Sequence, residues 1–125
     1  MVIVARTREE FERIIAGNRF VLVAVYDTRD PRGRYISGLV DDIARSVEPI
    51  IRVAVVDASE SPELARSLGR SLPRLLLFID GRKSWEQIGF FYTSSSDRYA
   101  VRRGLLLALR SRGFSPRSLG VRLDF

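Results

Sequence analysis

The sequence predicts an α/β fold: a central mixed β-sheet flanked by helices on both faces, in the order βαβαβαββα. Three observations carry that prediction. Two apolar runs, FVLVAVY (20–26) and IIRVAVVD (50–57), show no clean polar alternation, the pattern of strands buried on both faces that need helices above and below them. Between them, ISGLVDDIARSV sets Ile36, Leu39, Val40, Ile43 and Val47 at three- and four-residue spacing, an amphipathic helix suited to cross between parallel strands. Asp80-Gly81, set between two strand-like runs, is a hairpin signal, so the sheet closes antiparallel.

The elements follow in order. VIVA (2–5) is a short β-rich run, and TREEFERIIAG is a helix with Thr7 and Glu10 as a capping box and Gly17 as its stop. After the strand at 20–26 comes a charged loop, YDTRDPRGRY (26–35), and then the amphipathic helix, which Pro49 ends. SPELARSLG is a short helix with Ser61 as cap, Pro62 at its first position and Gly69 as stop. LPRLLLFIDGRKSWEQIGF supplies the two hairpin strands. SSSDRYAVRRGLLLALRSRG is the final helix, capped by its serines and closed by Gly113. At 100° per residue, Ala100, Val101, Gly104, Leu107 and Ala108 form the face expected to pack on the sheet. Tyr99, Leu106 and Leu109 then lie among Arg98, Arg102, Arg103 and Arg110. Residues 1–113 thus form one domain, and 114–125 a tail whose Phe114, Leu119, Val121 and Phe125 need cover from the domain or from a partner.

Composition narrows the chemistry. A chain of 125 residues, 46% hydrophobic and 29% charged, builds one folded core. No apolar run approaches the roughly 18 residues of a spanning helix, and the N-terminus has no basic flank before a long apolar stretch, so a cytoplasmic protein is expected, without membrane association. With no Cys and no His, thiolate nucleophiles, disulfides, sulfur-ligated metals and imidazole acid–base groups are excluded. Asp41-Asp42 lack a further ligand at metal-binding spacing, and no glycine loop matches a phosphate cradle, so neither a metal nor a cofactor is expected. Lys83 is the only lysine among 21 basic residues, a bias that fits a heat-adapted or GC-rich source. Of the net charge of +6, residues 96–125 supply most, with seven arginines against two aspartates.

Four pieces of the chain resemble the thioredoxin family over roughly residues 2–112. VLVAVYDTRDPRGRY resembles its strand, active-site loop and helix start, and RVAVVDASESPELARSLG its Asp-ended strand and short helix. SLPRLLLFIDGR resembles its cis-proline segment and hairpin strand, and IGFF its later glycine loop. The chain is a divergent relative, because the Cys-x-x-Cys of the family falls on Asp30, Pro31, Arg32 and Gly33, and the preceding tryptophan on Arg29. The family's buried aspartate falls on Ala24 and its lysine partner on Val53. Disulfide exchange needs a thiolate, so this chain is expected to be redox-inactive and not an enzyme of that kind.

The resemblance also implies a cis peptide before Pro73 and, beside it, a groove for extended peptides. The expected binding residues are Arg29, Asp30, Arg32, Arg34, Pro73, Arg74, Gly89, Phe90 and Phe91, and the expected partner is another protein or a second copy in a homodimer. Read from the residues alone, the alternative is that Pro73 merely begins an edge-like strand. The arginines of the loop, with Arg74 and the helix start near Pro31, suit either an anion or internal pairing with Asp27 and Asp30. Strand alternation leaves at least one of Phe90, Phe91 and Tyr92 exposed, for a partner, or else these rings cover the sheet edge or meet the tail. The alternative function is anion or nucleic-acid binding through the Arg-rich loop or the basic last helix, although no known RNA or DNA motif is present.

Overall fold

The computed structural model describes residues 1–125. Its sheet contains β1 (Ile3–Val4), β2 (Phe20–Tyr26), β3 (Ile51–Asp57), β4 (Arg74–Ile79) and β5 (Arg82–Ile88), in the spatial order β1-β3-β2-β4-β5. Strands β1, β3 and β2 run parallel, and β4 and β5 continue antiparallel. The helices are α1 (Arg8–Gly17), α2 (Gly33–Val47), α3 (Pro62–Leu68), α4 (Ser94–Ser111) and α5 (Pro116–Leu119). The mixed sheet and the predicted element order are observed, with the single turn α5 added in the tail. Asp80 and Gly81 turn the hairpin with φ of 51° and 79°, the pair of positive values a tight two-residue turn requires. No helix is long and apolar enough to cross a membrane.

Side-chain alternation along the strands divides the core in two. On one face Leu22, Ala24, Val53, Leu75 and Leu77 pack with Ile36, Leu39 and Ile43 of α2 and with Leu105 and Leu109 of α4. On the other, Val21, Val23, Val25, Val56 and Leu76 meet Phe11 of α1 and Leu64 of α3. Every residue of β2 is buried, which is why its sequence lacks alternation. Ala24 and Val53 are 1% and 0% exposed, so the larger core holds apolar side chains where the resemblance places a buried ion pair.

Three local expectations are corrected. Glu10 N–H donates to Thr7 Oγ1 at 3.1 Å, but the Glu10 carboxylate reaches back to the N–H of Arg6, one residue beyond the capping-box partner. Ser61 occupies the cap position of α3 without capping it; its hydroxyl donates to the Arg6 carbonyl at 2.7 Å, fastening α3 to the chain after β1. The α4 cap is Thr93, and none of the serines that follow it serves as a side-chain cap.

The buried face of α4 is also rotated from the predicted one, to Val101, Leu105, Ala108 and Leu109, leaving Leu107 50% exposed. Apolar residues lie on most sides of this helix, so its own sequence does not fix its phase. Trp85 on β5 does: a Cβ at Gly104 would lie 2.3 Å from the indole, so α4 sits glycine-down on the tryptophan. The tail then covers the remaining apolar edge. Phe114 packs edge-on to Phe20 with ring centroids 5.1 Å apart, Val121 is buried, and Arg102 donates to the Phe125 carbonyl.

Candidate functional site

The C-terminal ends of β2, β3 and β5 and the N-terminal end of β4 lie at one end of the sheet, and the segments joining them build the site. Asp57 closes β3 and organises the loop after β2. Its Oδ1 accepts from Thr28 N–H (3.2 Å), Ser59 N–H (2.9 Å) and the Ser59 hydroxyl (2.8 Å), and its Oδ2 from the Thr28 hydroxyl (2.6 Å). Burial pushes the Asp57 carboxyl up, but these hydrogen bonds outweigh it and hold the group below the usual aspartate range.

Within the loop, an Asp-x-Arg unit occurs twice in succession. Asp27 Oδ1 accepts from Arg29 N–H at 2.8 Å and Nε at 3.4 Å; Asp30 Oδ1 accepts from Arg32 N–H at 2.8 Å and Nε at 3.3 Å. Each aspartate thus makes a local turn two residues on and pairs with the arginine that completes it. The backbone bond from Arg32, then its guanidinium, lowers the Asp30 pKa. The loop curls tightly over the start of α2, where a Cβ at Gly33 would lie 3.1 Å from the Thr28 carbonyl oxygen.

A wholly buried carboxylate, Asp97, sits beneath the other side of the site. Its Oδ1 accepts from Phe91 N–H at 2.8 Å, and its Oδ2 from Tyr92 N–H at 2.9 Å and from the Tyr35 hydroxyl. These bonds hold Tyr92 at φ 61°, a left-handed conformation that non-glycine residues rarely adopt. The Tyr92 ring then lies 5.6 Å from Tyr35 and 6.1 Å from Phe90, with the Arg32 guanidinium 4.4 Å from its centroid. Asp97 thereby connects α2, α4 and the 89–92 segment to the Arg-rich loop. Sequence reasoning missed it, because an aspartate after three serines reads as an ordinary helix-start acid.

Burial first, and the Asp97 hydrogen bond second, push the Tyr35 hydroxyl up to about 12. The folded value lies above the ordinary one of about 10, so the stabilisation from this group is fully present below about pH 10. It is lost as pH rises toward 12. Phenolate absorbance should show Tyr35 titrating above the ordinary tyrosine range, and Tyr35→Phe should remove that part of the alkaline stability loss.

The predicted residues are not all brought together. Pro73 and Gly89 adjoin, with Gly89 N–H donating to the Pro73 carbonyl at 2.8 Å, and the Leu72–Pro73 peptide is cis. Phe91 is 71% exposed beside them, while Phe90 is half-buried against the larger core. Arg74 turns away: it shares its side of β4 with Leu76, is 8% exposed, donates to the Ser71 carbonyl at 3.2 Å and pairs with Glu86 on β5. Arg29 and Arg32 face Asp27 and Asp30, and among the loop arginines Arg34 alone has no carboxylate partner. Besides the exposed loop arginines, the site presents apolar side chains outward. Leu72 (41% exposed), Ile88 (58%) and Phe91 (71%) lie on the two segments that the Pro73–Gly89 bond joins.

This architecture is the thioredoxin fold, here without a cysteine and hence without a Cys-x-x-Cys motif. Thioredoxin from Plasmodium falciparum superimposes with a TM-score of 0.69 at 17% identity, covering 81% of this chain and 97% of that one. A mutant thioredoxin from Entamoeba histolytica gives 0.69 at 19% identity, over 84% and 97% of the two chains. A mutant thioredoxin from Halobacterium salinarum gives 0.64 at 24%, over 77% and 85%. In sequence, thioredoxin 1 of Nostoc sp. is 39% identical over 51 residues, 40% of this chain. That match spans about half the curated relative, 48% of its length. No family model matches the chain.

Proposed function

We propose that this protein is a redox-inactive binding module that takes an extended segment of another protein across the end of its sheet. The observation that carries this reading is the exposure of Leu72, Ile88 and Phe91 on the two segments joined at the Pro73–Gly89 contact. Large apolar side chains grouped in the open are characteristic of protein interfaces, and an aromatic at the centre of such a group tends to dominate binding. The Arg32–Tyr92 stack borders the cluster and supplies a polar rim. An extended ligand suits the place because β5 is an edge strand of the sheet. The pairing of Arg29 with Asp27 and of Arg32 with Asp30 supports this reading over an anion site in the loop.

Selection from a library of displayed extended peptides, followed by fluorescence anisotropy, tests it. Phe91→Ser and Leu72→Ser should each weaken the selected peptides at least about tenfold, as loss of an interface anchor does. Both positions are exposed, so far-UV circular dichroism should stay unchanged. Retention of full affinity in Phe91→Ser would sink the proposal, and self-association abolished by the same substitution would make the partner a second copy of the chain.

A further inference from the structure

The outer face of α4 carries a second surface, independent of the one above. Tyr99 is 58% exposed and Leu107 50%. Arg98 bonds Asp42 and Arg102 bonds the Phe125 carbonyl, whereas Arg103 and Arg110 point outward with no carboxylate partner. Nothing nearby in sequence compensates them: of the two aspartates in residues 96–125, Asp97 is buried under Tyr35 and Asp124 pairs with Arg122. Between α4 and the tail lies a notch of about 240 Å³, lined by Tyr99, Leu106 and Leu123 with Arg102 and Arg103 at its rim.

The spacing identifies what fits. Tyr99 and Leu106 are seven residues apart, and so are Arg103 and Arg110, on one stripe of an 18-residue helix. Seven residues are two helical turns, about 10.5 Å. An apolar and a cationic position that both recur at this period match a second helix crossing at about 20°, where the contact seam repeats every seven residues. Phosphodiesters and lipid headgroups would need the charge but not the period. We propose that the outer face of α4 docks an acidic amphipathic helix of a partner protein, its apolar side chains against Tyr99 and Leu106 and its carboxylates on Arg103 and Arg110.

The test uses two fluorescein-labelled peptides of identical composition, each about three heptads long. One repeats Leu and Glu every seven residues, and the other is scrambled. The ordered peptide should bind the full chain, and Arg103→Glu with Arg110→Glu should weaken it at least about tenfold, as loss of complementary charge pairs does. A peptide with Lys in place of Glu should bind that double variant in turn. Phe91→Ser should leave this binding intact, which separates the surface from the one at the end of the sheet. Equal binding of the scrambled peptide would overturn the proposal. So would tighter binding of single-stranded RNA or of phosphatidylserine vesicles, lost in the same double variant.

Discussion

Asp97→Ala is expected to lower the unfolding free energy by about 3–5 kcal/mol, a large share of what a domain of this size possesses. The carboxylate is 0% exposed and receives two backbone N–H groups and one hydroxyl, all of which would be left without an acceptor. Asp97→Asn should cost less, about 2–3 kcal/mol, because a single amide oxygen can still serve part of the set. Its NH2 would, however, face another donor. Urea unfolding measures both through a shifted midpoint at constant slope. The damage should not stay in the core. Tyr92 keeps its left-handed backbone through Asp97, and Arg32 rests on the Tyr92 ring, so Asp97→Ala should also weaken ligands of the Leu72–Phe91 surface. A loss below about 1 kcal/mol, the value of one ordinary hydrogen bond, would show that the network is dispensable.

The second large effect belongs to the pair Arg74–Glu86. Glu86→Leu leaves a guanidinium that is 9% exposed with only the Ser71 carbonyl as partner, and should destabilise by about 2–4 kcal/mol. Replacing both residues, Arg74→Met with Glu86→Leu, should restore most of that, since no unpaired charge remains buried. The pair also predicts a pH dependence. Burial pushes the Glu86 carboxyl up, but Arg74 and Lys83 outweigh it and hold the group below its ordinary value of about 4.3. Its folded pKa therefore lies below the unfolded one, so the stabilisation is present above about pH 4.3 and is lost as pH falls through the folded value. The double variant should lose that part of the acid sensitivity and keep the part due to Asp57, whose carboxyl is lowered by its hydrogen bonds from Thr28 and Ser59.

The readings that held rest on local patterns. Strands β2 and β3, the apolar face of α2 and the Asp80-Gly81 turn are each specified within a few residues of chain, where burial on both faces, the 3.6-residue period and positive φ leave a direct mark. The pairing of Arg29 and Arg32 with Asp27 and Asp30 was partly legible for the same reason, because a turn two residues long is local. The phase of α4 was not. Four of its five residues from 105 to 109 are leucine and the other is alanine, and only Trp85, from another strand, selects the face that packs. The side of the sheet taken by Arg74 escaped as well, since both faces are covered by helices and its partner Glu86 lies across the hairpin.

By itself the sequence settled the mixed α/β sheet and the absence of thiol and imidazole chemistry, since the first follows from local hydrophobic periodicity and the second from composition. Only the tertiary structure decided which charges are spent inside the molecule and which face outward. Tyr35 meets Asp97 across 62 residues of chain, and Arg98 meets Asp42 across 56. Contacts of that kind are chosen by how strands register and helices rotate, and residue spacing in the sequence carries no record of them.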